Sequence, residues 1–387
     1  MTDLAMHAPP SARRGLSALR GAARRAVPAL LLFAAVRALG VAALALSAGA
    51  NGKSAHELLS ARWDSLWYAR VVLYGYDFEK VAPDGRVLPA KAFFPLLPWL
   101  EKAGAAVTSL TPADVGLVVS ALASLAAAAG LYAIGELLYG RRAGIMLAVL
   151  WAALPVGIVQ SMAYSESLFT ALAAWGVYAV LTGRWLWAGS LSVLAGLTRP
   201  VGAAVVAAVW VGVWLAWRRG ELRPRMVAGA VLAPLGWLGY VVWVGFETGE
   251  PLGYLDVQGA WGNGFDGGWG FARFIAEKFG NGPAGVAAGL GLLVAMGLLV
   301  WVCVLCVRQR QPWPLLAYGG VVTVLAIAAS GYFGSKPRLL LPAFPLLLPA
   351  AVALARARPA RAAAVLVVTA VTSAAYGAFW LLGSGPP

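Results

Sequence analysis

The side chains best suited to chemistry lie in a few short polar segments, and the first of these surrounds Asp64. Trp63, Trp67 and Tyr68 flank this carboxylate within the segment 62–68. A carboxylate can accept the proton of a hydroxyl nucleophile, and flat aromatic rings stack on the C–H faces of sugars. We therefore regard Asp64 as a candidate general base beside sugar-binding aromatic residues. The alternative is an amphipathic interfacial helix with an ordinary solvated aspartate.

Cations in two other segments are candidates for binding a phosphate group. Lys336 and Arg338 lie at the start of a predicted span, and cations beside a helix N-terminus suit an anion. Arg199 lies at the junction of two predicted spans, where a charge is costly unless it has a partner. The alternative for Lys336 and Arg338 is anchoring at the membrane interface, with their charged ends reaching water.

Further candidates for binding the acceptor or shaping the site are Tyr164, Glu166, Glu79 and Phe94. Glu166 stands at the start of a predicted helix, where the helix dipole alone would favour a glutamate. A capping role is therefore the alternative for Glu166.

Metal and disulfide chemistry are not favoured. Asp77 and Glu79 could hold a divalent metal, but two carboxylates without a further ligand are a weak pattern, and an ion pair with Lys80 is the alternative. The chain has two histidines and two cysteines, and both cysteines lie inside an apolar segment: His7, His56, Cys303 and Cys306. We therefore predict no metal, no other cofactor and no disulfide framework.

Helices that cross a membrane must position these segments. The 387 residues are 61% hydrophobic and only 12% charged, with a mean hydropathy of +0.77, whereas a soluble chain has about a quarter charged residues. Apolar stretches long enough to cross ~30 Å of hydrocarbon recur throughout. We predict an all-α, polytopic integral membrane protein with about eleven spans. They are 27–49, 114–138, 142–160, 165–182, 185–198, 201–217, 226–246, 283–307, 313–331, 338–355 and 362–382.

The distribution of charge predicts the orientation. The net charge is +14, but the arginines cluster in short gaps between apolar segments, as the positive-inside rule predicts for cytoplasmic loops. The basic composition therefore does not indicate nucleic acid. With a cytoplasmic N-terminus, the long loops 50–113 and 247–282 lie on the extracytoplasmic side. Of the 16 Asp and Glu residues, all except Asp3, Glu136 and Glu221 fall on that side.

The chain divides at these long loops. We expect 1–26 to be a basic, disordered cytoplasmic tail, 27–246 a transmembrane module that includes loop 50–113, and 283–387 a second module. Apolar residues at helical spacing predict interfacial helices at 54–72 and 93–107, separated by a turn at 83–85. The Gly- and Trp-rich loop 247–282 is either an aromatic belt at the headgroups or a flap that faces lipid or sugar.

Taken in order, the motifs resemble the PIG-V family, which contains the second mannosyltransferase of GPI-anchor synthesis and its bacterial relatives. Residues 60–200 carry most of the resemblance. The matching motifs are Trp63-Asp64-Ser65, Gly75-Tyr76 with Glu79, Ala92-Phe93-Phe94-Pro95 with Pro98, Tyr164-Ser165-Glu166-Ser167-Leu168-Phe169, Thr198-Arg199 and the Lys336/Arg338 pair. The chain departs from some relatives at Trp67, where they have histidine, and at Pro200, where they have serine.

The resemblance implies a GT-C architecture and an inverting mannosyltransferase that takes mannose from a polyprenyl-phosphate donor, with a glycolipid or lipoglycan as acceptor. Asp64 would be the base and Arg199, Lys336 and Arg338 would bind the donor phosphate. The sugar-binding or site-shaping residues would be Trp63, Trp67, Tyr68, Glu79, Phe94, Tyr164 and Glu166. The bias toward Ala, Arg and Gly is typical of a GC-rich bacterial genome and favours a plasma membrane.

Two other classes of protein remain as alternatives. One is a lipid or sugar transporter or flippase, which could use broken helices such as the spans that Pro155 and Pro234 interrupt. Its charges should lie near the middle of the bilayer, whereas the candidate residues lie at one rim. The other is a non-catalytic membrane subunit.

Overall fold

Helices build almost the whole molecule. The computed structural model describes residues 12–383 and residue 385. The helices of the first half are α1 (Ala12–Ala50), α2 (Ala55–Ser60), α3 (Asp64–Tyr74), α4 (Leu96–Val107), α5 (Pro112–Tyr139), α6 (Arg141–Ala152), α7 (Glu166–Leu181), α8 (Trp185–Gly196) and α9 (Ala203–Arg218). Those of the second half are α10 (Pro224–Leu232), α11 (Leu235–Thr248), α12 (Gly253–Ala260), α13 (Trp269–Lys278), α14 (Gly282–Arg308), α15 (Trp313–Ala328), α16 (Lys336–Leu339), α17 (Leu348–Arg356) and α18 (Pro359–Leu382).

The apolar helices confirm a polytopic integral membrane protein. Within the described residues, six helices are long and apolar enough to cross a membrane, or up to eight if each of two bent pairs counts as one span. The shorter apolar helices α7, α8 and α15 fall on the remaining predicted spans. Each predicted span therefore coincides with a helix or with a bent pair. The predictions for 142–160 and 338–355 were wrong in one respect, because both segments bend sharply.

The prediction of a disordered tail was wrong for residues 12–26. Helix α1 begins at Ala12, so 12–26 are helical and continue into the first span, while 1–11 lie outside the described residues. Alanine and arginine are among the strongest helix formers, and this part of the chain is rich in both. A composition that looks disordered in isolation thus extends the helix of the first span.

Loop 50–113 is a structured layer rather than an open connection. The predicted interfacial stretches form α2, α3 and α4, and the predicted turn at 83–85 joins two short antiparallel strands, β1 (Glu79–Val81) and β2 (Val87–Pro89). Gly85 has a φ of +84°, a conformation that glycine adopts without steric cost. The strands were not predicted, because three residues each are too few to show a strand pattern in the sequence.

The polar loops meet on one face of the helix bundle, which we call the site face. The amide of Ala163 donates to the carbonyl of Leu59, and the amide of Leu96 donates to that of Leu197. Loop 247–282 joins the same layer, because the amide of Ser330 donates to Gly264. Backbone hydrogen bonds thus bring segments from distant parts of the sequence together.

Small residues allow the helices beneath this layer to pack closely. A side-chain carbon added at Gly135 of α5 would lie 2.6 Å from the Cα atom of Gly144 in α6. Close backbone approach of this kind is the usual basis of helix association in a membrane, where the hydrophobic effect does not hold helices together. The buried core lies against these helices and includes Trp151, Tyr164 and Tyr318, all fully buried.

Candidate active site

The centre of the site is an ion pair between Asp64 and Arg338, which are far apart in sequence. Arg338 Nη1 donates to Asp64 Oδ2 at 2.8 Å. The Arg338 side chain is 11% exposed and that of Asp64 is 24% exposed, so the carboxylate is the more accessible partner. Asp64 is the first residue of α3, and Arg338 lies in the short helix α16.

A second carboxylate and a second cation extend this pair. Arg199 Nη1 lies 2.7 Å from Glu166 Oε1, and Arg338 Nε lies 3.4 Å from the same oxygen. Glu166 is 1% exposed at its side chain. The structure therefore brings Asp64, Arg338, Glu166 and Arg199 into one cluster of alternating charge, which we call the charge cluster. Burial of such charges is tolerated because each has an oppositely charged partner.

Neutral hydroxyl groups hold the charge cluster in place. Ser165 Oγ accepts a hydrogen bond from Arg199 Nη1 at 3.0 Å and lies 2.7 Å from the Tyr68 hydroxyl. Burial raises the pKa of Tyr68, so this phenol stays protonated near neutral pH. Tyr164 supports Asp64 and Arg338 together, since its hydroxyl accepts from the Asp64 amide at 3.4 Å and its ring lies 5.2 Å from the Arg338 guanidinium.

The backbone is strained just before the candidate base. Trp63 has φ 49° and ψ −119°, and bulky residues rarely adopt a positive φ. Its ring stacks under the Arg62 guanidinium at 3.9 Å, and Arg62 in turn donates to the carbonyls of Leu381 and Gly383. Strained residues that their surroundings hold in place are concentrated at functional sites.

Trp67 lies in an aromatic cluster beside the charge cluster rather than within it. Its ring is 5.5 Å from that of Phe93, 5.7 Å from that of Phe78 and 4.7 Å from that of Trp261. Trp261 also donates to the carbonyl of Pro89 at 3.0 Å. The 247–282 loop thus closes over β2 and α3 through Trp261, whereas its other tryptophan, Trp269, is 73% exposed.

Phe94 and Glu79 are not brought to the charge cluster. Phe94 is buried beneath α11 and α12, with its ring 4.4 Å from that of Tyr240 and 5.9 Å from that of Tyr254. Glu79 is exposed in β1. Phe94 therefore has a packing role, and Glu79 would need a substrate that extends to the hairpin.

The structure also corrects the predicted environment of Asp77. It pairs with Lys91 at 3.0 Å rather than with Lys80. Among residues 12–383 no group of three or more His, Cys, Asp or Glu side chains is close enough to hold one metal ion.

Lys336 was predicted to bind a phosphate, but in the structure its side chain binds the backbone. Its ammonium donates to the carbonyls of Ala326 at 2.8 Å, Ile327 at 3.3 Å and Ala329, at the end of α15. An ammonium has three donors, so in this conformation all of them are used. Lys336 fixes the segment that carries Arg338, but it offers no free donor to a phosphate.

Two buried charged residues, Glu101 and Arg37, were not among the predicted site residues. Glu101 in α4 is 0% exposed, and within the described residues neither of its oxygens has a hydrogen-bond partner. Burial raises the pKa of its carboxyl to about 9. Arg37 lies inside the first span and is 8% exposed. The sequence pattern that could have identified Arg37 is a charged residue within an apolar stretch.

No protein-family model and no curated protein sequence matches the chain. Solved structures do match it. ArnT from Cupriavidus metallidurans bound to undecaprenyl phosphate aligns with a TM-score of 0.55 at 15% identity, over 87% of this chain and 62% of ArnT. The apo state of ArnT aligns with a TM-score of 0.50 at 14% identity, over 78% of this chain and 56% of ArnT.

The oligosaccharyltransferase from Archaeoglobus fulgidus, in complex with zinc and sulfate, aligns with a TM-score of 0.52 at 13% identity, over 91% of this chain and 53% of that one. The chain thus spans between about half and three fifths of the length of these proteins. The agreement confirms the predicted fold class: this chain has the GT-C fold of membrane glycosyltransferases.

Proposed function

We propose that the protein is an inverting membrane glycosyltransferase that moves mannose from polyprenyl-phosphate mannose to a hydroxyl group of a glycolipid or lipoglycan on the extracytoplasmic side of the plasma membrane. The observation that carries the proposal is the charge cluster, which gathers a candidate base and two arginines at the site face of a GT-C fold. The mannose specificity comes from the PIG-V resemblance. The polyprenyl-phosphate donor is further supported by the undecaprenyl phosphate bound in ArnT.

In the proposed reaction, Asp64 accepts the proton of the acceptor hydroxyl as the oxygen attacks the anomeric carbon of mannose. The bond between that carbon and the donor phosphate oxygen breaks, and its electron pair leaves with the phosphate. Because the attack comes from the face opposite the leaving group, the anomeric configuration inverts. Polyprenyl phosphate is a stable anion, so the site needs cations more than a strong general acid.

Arg338 and Arg199 are the cations best placed to bind this phosphate. Arginine can grip phosphate through two parallel hydrogen bonds, and both guanidinium groups lie beside Glu166. Lys336 was also predicted to bind phosphate, but its donors are engaged by carbonyls, so we assign it to holding α16. Glu166 positions the two arginines through charge. No metal is part of this proposal.

The pair between Asp64 and Arg338 has a consequence for the order of binding. Arg338 donates a hydrogen bond to Asp64 Oδ2, so this oxygen is already engaged before a substrate binds. A donor phosphate would compete for Arg338 and leave Asp64 free to accept a proton. The donor is therefore expected to bind before the acceptor is activated.

The donor class can be tested with the purified protein in proteoliposomes that contain lipid extract as acceptor. We expect label to enter lipid from polyprenyl-phosphate mannose and not from GDP-mannose, because the proposed site receives a membrane-anchored phosphate. Polyprenyl-phosphate glucose tests the sugar preference. Transfer from the nucleotide sugar, or no transfer from any donor, would overturn the proposal and favour a transporter or an accessory subunit.

A further inference from the structure

The first bent span places polar backbone groups inside the membrane. Helix α6 and the 3₁₀ segment Pro155–Ser161 meet at 85°. Backbone carbonyls at such a bend lose regular helical partners, and an unsatisfied backbone group is costly in a bilayer, which has no water to bind it. A bend of this size is therefore tolerated only where other groups satisfy those carbonyls.

Side chains from three parts of the chain bind the carbonyls of this bend. Gln160 Nε2 donates to Trp151 at 2.8 Å, and Ser373 Oγ of α18 donates to Leu154 at 2.5 Å. Arg37 Nη1 of α1 donates to the carbonyl of Gly157. The bend is thus held in part by side chains of α1 and α18.

Arg37 is the most costly of these side chains to bury. It lies midway along the span Ala23–Ala50, and no carboxylate among the described residues is within ion-pair distance of it. A cation near the centre of a bilayer is costly to bury. A residue buried at this cost is expected to have a role.

The packing around the guanidinium is specific. A side-chain carbon at Gly157 would lie 3.1 Å from both Nη atoms of Arg37, and one at Gly40 would lie 3.3 Å from Nη2. Glycines at both positions therefore leave the room that the guanidinium occupies between α1 and the 3₁₀ segment.

The same segment leads directly into the charge cluster. After Ser161 only four residues precede Glu166, and Ser167 Oγ donates back to the carbonyl of Gln160 at 3.3 Å. A shift of 155–161 would therefore move Ser165 and Glu166, and with them the contacts to Arg199 and Arg338.

We propose that Arg37 is a positioning residue. By fixing the carbonyl of Gly157, it sets the 155–161 segment and so places Glu166 between Arg199 and Arg338. Its effect on catalysis rests on the proposed function, whereas its effect on the structure of 162–168 does not.

A double-mutant cycle tests the catalytic part. We expect Arg37→Met to lower kcat by about tenfold in the wild-type background and by less than about twofold in a Glu166→Gln background, because its effect passes through Glu166. Arg37→Lys should recover most of the rate, since an ammonium can still donate to the carbonyl. If the two losses simply multiply, Arg37 does not act through Glu166.

Hydrogen–deuterium exchange tests the structural part without any activity. Backbone amides of 162–168 should exchange faster in Arg37→Met, and at the wild-type rate in Arg37→Lys and in the control Leu46→Met, which alters a lipid-facing position of α1 that is 78% exposed. Should Arg37→Met fail to fold, Gly40→Ala replaces it, because the added carbon would lie 3.3 Å from Nη2 of Arg37 and presses on that side chain alone. Unchanged exchange in 162–168 in a folded variant overturns the proposal, whether or not the wild type transfers sugar.

Discussion

At the scale of single residues, the site is organised by pairs of opposite charge whose members lie in different segments. Asp64 is held at 2.8 Å by Arg338, and Glu166 lies between Arg338 and Arg199. The sequence could predict that each of these side chains faced the same side of the membrane. It could not predict that Lys336 binds carbonyls while Arg338, two positions later, binds Asp64, because this depends on where α15 ends.

Glu101 differs from these residues because it has no partner of opposite charge in the part of the chain that the structure describes. Its carboxyl is neutral in the folded protein below the raised pKa of about 9, whereas the ordinary value is 4.5. Between these values the folded state binds a proton that the unfolded state has lost, so the free energy of unfolding falls as pH rises from about 4.5 to 9.

We expect Glu101→Gln to flatten this pH dependence, because an amide is neutral at every pH and close to the shape of the protonated acid. Thermal unfolding in detergent between pH 5 and 9 measures the effect. Glu250→Gln, at an exposed position, is the matched control and should keep the wild-type slope. A slope in Glu101→Gln as steep as in the wild type would show that Glu101 ionises freely.

At the scale of elements, hydropathy predicted where helices run, and charge predicted which loops share a face. The angles of the bends at 152–155 and 339–344 were not predicted, because a proline such as Pro155 marks a break in a helix without fixing how far the chain turns. They are stabilised by contacts between distant residues, such as the hydrogen bond from Trp151 Nε1 to the carbonyl of Leu341 at 3.0 Å. These bends bring Glu166 and Arg338 together, so the sequence could name the site residues without showing how they meet.

The close approach of α5 and α6 gives a prediction at this scale. Gly135→Ala should destabilise the protein by about 1–3 kcal/mol, because the added carbon would lie 2.6 Å from the Cα atom of Gly144 and overpacking of a close interface carries a cost of this size. Gly291→Ala in α14 is the control, since a carbon there meets no atom within 4 Å. Thermal unfolding measures the stability of both variants. A Gly135→Ala protein as stable as the wild type would show that α5 and α6 can separate without cost.

At the scale of the whole molecule, the GT-C fold accounts for the distribution of polar residues. Helices bury an apolar core, while the loops 50–113 and 247–282 form a layer on the site face that contributes Asp64 to the charge cluster. Arg37 is an exception, because its charge lies in the middle of the bundle. Its guanidinium binds the backbone of a bent segment and does not line a translocation pathway. The molecule therefore fits an enzyme that works at a membrane surface better than a transporter.

The most direct test of this account compares mannosyl transfer from labelled polyprenyl-phosphate mannose by the wild type, Asp64→Asn and Asp77→Asn. Both substitutions exchange a carboxylate for an amide, but Asp77 is exposed and pairs with Lys91 outside the charge cluster. We predict that Asp64→Asn lowers kcat by at least about a hundredfold, because loss of a general base typically costs 10²–10⁴-fold, while Asp77→Asn stays within about twofold of the wild type. A folded Asp64→Asn protein that transfers mannose at the wild-type rate would contradict the account.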